Sequence, residues 1–118
     1  MKKFLLSTIL LVFCSTLTFG QEKTMEIRAE KEAEKINANI ISANPSAALS
    51  EKQVKQIIAI YVEKFKGMED LKKSNVSEEE IAKKRKELNL KCNQRVFREV
   101  FTAEQKIANK EGREKNKG

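Results

Sequence analysis

The chain has 118 residues, a formal net charge of +7 and 35% charged residues, with no histidine, no tryptophan, one proline and two cysteines. This length allows one ordinary domain. The missing histidine removes the most common general base and the most common transition-metal ligand. No glycine-rich phosphate loop or nucleophile–base pattern occurs either, so we expect neither an enzyme, nor a metal site, nor a cofactor.

Residues 1–20 have the pattern of a secretory signal peptide. Lys2 and Lys3 precede an apolar run over residues 4–13, and small or hydroxyl residues follow. The apolar run is shorter than the roughly 20 residues that span a bilayer. We therefore expect cleavage before Gln21, a periplasmic location and no stable membrane insertion after cleavage. A retained N-terminal anchor helix is an open alternative.

The two cysteines have separate interpretations. Cys14 could serve as a lipoprotein anchor, but the bulky Phe13 before it disfavours this alternative. Cys92 is the single cysteine after the signal segment, so it has no internal disulfide partner in an oxidising compartment. It is either a buried apolar residue or a point of intermolecular pairing.

Residues 21–44 form an amphipathic helix in the sequence pattern. Three- and four-residue steps place five apolar residues on one face: Met25, Ala29, Ala33, Ile36 and Ile40. Because two of the five are alanine, this face buries little surface. The sequence leaves open whether the helix docks or stays mobile. Pro45, between Asn44 and Ser46, ends the pattern.

The next segment, about residues 51–73, has a broad apolar face. Its seam consists of Val54, Ile58, Tyr61, Phe65 and Met68, and it is widened by Ile57, Ile60, Val62 and Leu71. The apolar arc covers about 200° of the helix. This is more apolar surface than one neighbouring helix covers.

The third segment, about residues 78–100, has two apolar faces. Ile81, Leu88, Cys92 and Val96 share one face, whereas Leu90, Phe97 and Phe101 lie nearly opposite if the helix is straight. One interpretation is that the second face binds a partner. The other is a bend near Asn89 that brings both sets to one core, and packing arguments favour the two equally.

A short fourth helix follows over residues 103–110. The remaining segment, 111–118, is polar, basic and bounded by glycines. We expect this tail to be disordered.

Three helix starts have the pattern of a capping box, in which a hydroxyl side chain and the side chain three residues later satisfy each other's backbone N–H groups. Apolar residues before two of the boxes also form hydrophobic staples with the residue at the fourth helical position. The boxes are Ser50 with Gln53 (staple Leu49–Val54), Ser77 with Glu80 (staple Val76–Ile81) and Thr102 with Gln105, which Phe101 precedes. Helix capping alone explains each of them.

Two of these motifs, LSEKQ at residues 49–53 and FTAEQ at residues 101–105, together resemble the paired signature of the LTxxQ family of Spy/CpxP-like periplasmic chaperones, to which the zinc-resistance-associated protein is related. The resemblance covers about residues 45–110. Ser50 replaces the threonine of the first copy, and Phe101 replaces the leucine of the second. The resemblance implies a thin, curved, antiparallel helical homodimer. It also implies ATP-independent binding of unfolded or misfolded envelope proteins on a basic, partly apolar surface.

The combined prediction is an all-α protein with four helices in a thin, elongated antiparallel hairpin, working as a curved antiparallel homodimer. Surplus apolar surface on a secreted chain indicates an interaction site or an oligomer interface. The candidate client or dimer surface comprises Ile57, Ile60, Tyr61, Lys64, Phe65, Met68, Leu71, Arg85, Leu90 and Phe97.

Two functional hypotheses follow from this surface. One is a periplasmic holdase; the other is a regulatory or structural protein of the envelope stress response that binds one specific partner, such as a sensor domain. Nucleic acid is not an expected partner, because export and interspersed acidic residues oppose it.

Overall fold

The protein is all-helical over the part of the chain that the structure describes. The computed structural model describes residues 23–117, together with the bounds of a first helix that begins at Lys2. The helices are α1 (Lys2–Ala43), α2 (Glu51–Lys73), α3 (Glu78–Arg95) and α4 (Ala103–Lys115); a 3₁₀ turn (Pro45–Ala47) precedes α2, and a π-helical turn (Val96–Val100) follows α3. The signal peptide predicted at residues 1–20 and the Cys14 alternative lie outside the described residues.

Helix α1 docks on the rest of the molecule. Ala29, Ala33 and Ile40 are completely buried, and Met25 and Ile36 are half-buried against the same core. The face predicted from the sequence is therefore the buried face. Alanine lets two helices approach closely, so a face that removes little area per residue still packs against both α2 and α4.

The core lies where α1, α2, the π turn and α4 meet. From α2 it contains Ile57, Ile60, Tyr61 and Phe65; from the C-terminal half of the chain it contains Cys92, Val96, Val100, Phe101 and Ala108. Helix α3 packs mainly against α2. We call α3 and the second half of α2 (residues 62–95) the arm.

The π turn, and not a bend near Asn89, brings one residue of the second apolar face of α3 into the core. The backbone N–H of Phe101 donates to Val96 O at 3.1 Å, a five-residue spacing that winds the chain less tightly than an α-helix. Because the backbone turns through a smaller angle per residue here, Phe101 lies in the same core as Val96. Leu90 and Phe97 stay outside, 59% and 46% exposed.

Helix α4 extends further than the sequence pattern predicts. It continues to Lys115, whereas we expected it to end near residue 110 and the tail from 111 to be disordered. The reason is Gly112, which lies so close to α1 that a Cβ there would fall 1.8 Å from the backbone oxygen of Asn39. Asn116 Nδ2 also donates to Asn39 Oδ1 at 2.7 Å. The last turns of α4 are thus held by contact with α1.

Candidate functional site

The two glutamine capping boxes are both complete. Ser50 Oγ accepts from Gln53 N at 3.1 Å, while Ser50 N donates to Gln53 Oε1 at 2.9 Å. Thr102 Oγ1 accepts from Gln105 N at 3.2 Å, while Thr102 N donates to Gln105 Oε1 at 3.0 Å. Each box satisfies two backbone donors that a helix start otherwise leaves unpaired.

The two boxes are also joined to each other. Gln53 Nε2 donates to Gln105 Oε1 at 2.7 Å, and Gln105 Nε2 donates back to Gln53 Oε1 at 3.0 Å. The remaining donor capacity goes to backbone carbonyls, from Gln53 to Val100 O at 2.9 Å and from Gln105 to Ala47 O at 3.1 Å. We call this pair the glutamine clamp. It ties the start of α2 to the start of α4, the 3₁₀ turn and the π turn.

Sequence reasoning predicted each box but missed the clamp. The available signal was the residue type at the third helical position of both motifs. A glutamine amide donates and accepts, so it can complete its own box and still bond a second amide. Among the described residues, Gln105 is the one buried residue with an amide or charged side chain, and its several hydrogen bonds supply the partners that a buried polar group requires.

The third predicted box, at the start of α3, is only half formed. Ser77 Oγ accepts from Glu80 N at 3.3 Å, but the reciprocal bond from Ser77 N to the Glu80 carboxylate is absent in this part of the structure. Val76 and Ile81 are half-buried, in agreement with a staple. This cap is local to the arm.

The predicted interaction surface divides into three groups. Ile57, Ile60, Tyr61 and Phe65 are buried within the chain, which differs from the expectation of a surface role. The reason is that α1 covers the face of α2 that the sequence pattern left without a neighbour. Lys64, Met68 and Leu71 are half-buried, and Arg85, Leu90 and Phe97 are exposed.

Among the described residues, three exposed large apolar side chains lie outside the predicted interaction surface: Ile27, Ile41 and Ile107. Ile107, on α4, is 60% exposed. Phe101, which precedes the Thr102 box, is buried in the core and packs edge-to-face with Phe97, with ring centroids 6.5 Å apart.

A groove runs between α1, the π turn and α4. Its first part has a volume of about 520 Å³ and its second part about 640 Å³, and the two share Lys35, Asn39, Phe97, Asn109 and Arg113. Tyr61, Ile36, Val96 and Phe101 line the first part, and Ile107 lines the second. Volumes of this size are typical of ligand pockets in proteins.

The groove has a basic rim. Its charged lining residues are two acidic ones, Glu32 and Glu114, and six basic ones: Lys35, Arg98, Lys106, Lys110, Arg113 and Lys117. The Lys106 ammonium lies 4.8 Å from the centre of the Phe97 ring. An exposed cation–π contact of this kind contributes about 0.5–1 kcal/mol, so Phe97 is held in place without being covered.

Two titratable groups near the groove are shifted toward their neutral forms. Burial raises the pKa of Tyr61 to about 12, and the neighbouring Cys92 and Glu32 add to the shift. Burial also raises the pKa of the Cys92 thiol, against the opposing effect of Lys64 and Arg95. Cys92 is 3% exposed, so it is packed as a small apolar residue and is not presented for pairing with another chain.

An ion cluster connects the arm to the π turn. Arg95, at the end of α3, forms a salt bridge with Glu63 on α2 and another with Glu99 at 3.0 Å. Hydrogen bonds to these carboxylates raise the pKa of Arg95. All three side chains are solvent-accessible, so the contribution to stability is small.

Over the described residues, no three Cys, Asp or Glu side chains lie close enough together to hold a metal ion. No helix in the part of the chain that the structure covers is long and apolar enough to cross a membrane. Comparison of the chain with known proteins gave no matching family model, no matching curated protein and no matching solved structure.

Proposed function

We propose that this chain is an ATP-independent periplasmic holdase of the Spy/CpxP-like kind, which binds unfolded or misfolded envelope proteins. The observation that carries the proposal is a pair of exposed apolar residues that line the groove. Phe97 is 46% exposed and Ile107 is 60% exposed. Large apolar side chains exposed together typically mark an interaction site.

The basic rim supports the same proposal. Lysine and arginine side chains around an apolar groove attract carboxylate-bearing chains over a distance of about a Debye length, and apolar contact then retains them. Several modest contacts of this type give weak, reversible binding, which suits a protein that holds clients without an energy source. No catalytic step is part of the proposal.

The test is an aggregation-suppression assay with two unrelated chemically denatured clients. The chain lacking residues 1–20 is expected to delay aggregation of both at a few-fold molar excess. Protection of neither client at that excess would contradict the holdase. Protection of one client alone would favour the second hypothesis, a stress-response protein with one specific partner.

Matched variants locate the surface. Phe97→Ser and Ile107→Ser are expected to lose most of the protection, because each removes an apolar contact beside the groove. Ile27→Ser is the control, since Ile27 is 48% exposed on α1 and lines neither part of the groove. Equal loss in all three variants would mean that general surface hydrophobicity, and not the groove, holds the client.

We also propose that two copies pair as a curved antiparallel homodimer, with each chain contributing its arm. The support is that α3 packs mainly on α2 and leaves its opposite face, including Leu90, in solvent. Sedimentation velocity at micromolar concentration is expected to give a dimer. A monodisperse monomer with a full helical circular-dichroism spectrum would overturn the dimer and leave the holdase proposal standing.

A further inference from the structure

We propose that the groove recognises the backbone of an extended, acidic polypeptide segment. This inference rests on the proposed function and defines its substrate by conformation: an extended strand with free backbone N–H and C=O groups, and not a preformed helix. An apolar side chain of the segment sits against Phe97, and its carboxylates face the basic rim.

Five carboxamide side chains line the groove: Asn39, Asn93, Gln94, Asn109 and Asn116. A carboxamide carries donors and an acceptor in the same plane, as a peptide group does. It can therefore pair with backbone groups whatever the sequence of the bound segment. Asn39 and Asn116 already bond each other, but a bound helix would offer no backbone partners to Asn93, Gln94 and Asn109, because a helix satisfies its own backbone groups.

Asn109 lies in the region shared by both parts of the groove. Its Oδ1 is buried and has no hydrogen-bond partner among the described residues. Buried polar atoms in proteins are nearly always paired. The proposal requires this amide to rotate toward the groove, where a backbone N–H of the bound segment supplies the missing bond.

The charge of the groove lining favours an acidic segment. The groove lining has six basic and two acidic residues, so a segment that carries glutamate or aspartate neutralises it. In an extended strand, successive side chains point to opposite sides. One side of the strand can then place an apolar residue on Phe97 while the other presents carboxylates to the rim.

The probe is a labelled eight-residue peptide that alternates glutamate and valine around one central phenylalanine, with binding followed by fluorescence anisotropy. Extended, it spans about 26–29 Å. Two derivatives are N-methylated at alternate residues, one derivative for each edge of the strand. We expect methylation of one edge to weaken binding about tenfold, by removing two or more hydrogen bonds, and methylation of the other edge to have little effect. Equal binding by both derivatives and the parent overturns the inference.

A helix-locked peptide of the same composition tests the conformation. The inference requires it to bind more weakly than the extended parent. Tighter binding of the helical form would overturn backbone recognition and make the groove a receptor for amphipathic helices.

Protein variants test the carboxamides directly. Asn93→Leu combined with Gln94→Met replaces two exposed amides on the groove wall by apolar side chains of similar size. We expect about tenfold weaker binding of the parent peptide, and no change for Gln56→Met, which alters an exposed amide of α2 outside the groove. Binding that is equal or tighter in the double variant overturns the inference, because it would show that apolar contact alone is sufficient.

The outcomes separate this inference from the holdase proposal. Clients protected from aggregation, together with peptides that bind regardless of edge methylation, leave the holdase standing and remove backbone recognition. Edge-dependent peptide binding without protection of either client supports the groove and contradicts the holdase. No binding of the parent peptide overturns the inference whatever the aggregation assay gives.

Discussion

Two regions of the molecule start their helices with the same kind of cap but hold it differently. The first region is the end where α2 and α4 begin, and the second is the arm, where α3 begins. At the first, Gln53 and Gln105 complete their boxes and bond each other. At the second, Ser77 accepts one bond and Glu80 returns none. A carboxylate only accepts, whereas an amide also donates. The residue at the third helical position therefore decides whether a cap remains local or joins two parts of the fold.

The largest expected effect comes from breaking the glutamine clamp. Gln105→Leu removes the acceptor for Thr102 N and Gln53 Nε2 and the donor to Ala47 O. Each buried group left unpaired costs about 1–3 kcal/mol. We expect the free energy of unfolding to fall by about 3–4 kcal/mol in urea titrations.

The matched change in the arm is Glu80→Leu. Because the Glu80 carboxylate makes no bond to its own N-cap, this variant is expected to stay within about 0.5 kcal/mol of the parent. A loss below about 1 kcal/mol for Gln105→Leu, or similar losses for the two variants, would mean that the clamp contributes no more than an ordinary cap.

The two helical glycines of the described chain provide the second comparison. A Cβ at Gly112 would lie 1.8 Å from the backbone oxygen of Asn39, whereas the nearest atoms to a Cβ at Gly67 all belong to the side chain of Leu88, with its methyl carbons at 3.2 and 3.3 Å. Backbone cannot move aside as a leucine side chain can. We expect Gly112→Ala to lower the free energy of unfolding, measured in thermal melts, by about 2 kcal/mol, because overpacking outweighs the gain in helix propensity.

Gly67→Ala is expected to be neutral or stabilising by up to about 1 kcal/mol, because the helix-propensity gain of alanine over glycine remains and Leu88 can shift. Both variants are measured in the same thermal melts. If Gly112→Ala is as stable as Gly67→Ala, the close approach of α4 to α1 is not present in solution.

Sequence patterns predicted the local elements well and the tertiary relations poorly. The seam of α1 and both glutamine boxes follow from spacing and residue type. The surface that α1 covers does not follow from the pattern, because a face rich in alanine buries little area per residue and so predicts only weak packing. Ile57, Ile60, Tyr61 and Phe65 were therefore assigned to a surface that α1 in fact occupies. The π turn has no signature in the apolar spacing, since it changes the rotation per residue on which that spacing is judged.

A smaller effect is expected at Tyr61, a core residue of α2 directly before the arm. The pKa of its hydroxyl is raised to about 12 in the folded chain, mainly by burial, against about 10 when unfolded. As pH rises through 10, the unfolded chain loses this proton first, so the stability that the neutral hydroxyl provides is present below pH 10 and declines toward pH 12. We expect a loss of about 1 kcal/mol between pH 9 and pH 11 that is absent in Tyr61→Phe.

Lysine deprotonation in the same pH range affects both proteins, so the difference between them isolates Tyr61. Chemical unfolding at a series of pH values gives that difference. Parallel curves for the parent and Tyr61→Phe would show that the hydroxyl is solvated in the folded chain.

The smallest effect is expected at the start of α3, whose cap is local, in contrast to the joined caps of α2 and α4. Ser77→Ala removes the hydroxyl that accepts from Glu80 N, at an expected cost of about 0.5–1 kcal/mol. Because nothing links this cap to the glutamine clamp, amide hydrogen exchange should accelerate in the first turn of α3 and remain unchanged in the first turns of α2 and α4.

Thr102→Ala removes the same kind of acceptor, but Gln105, which its box helps to orient, also bonds Gln53 and Ala47. Exchange should then accelerate at the starts of both α2 and α4. If Thr102→Ala affects α4 alone, the two boxes are independent caps. The caps of α2 and α4 would then differ from the cap of α3 only in how deeply they are buried.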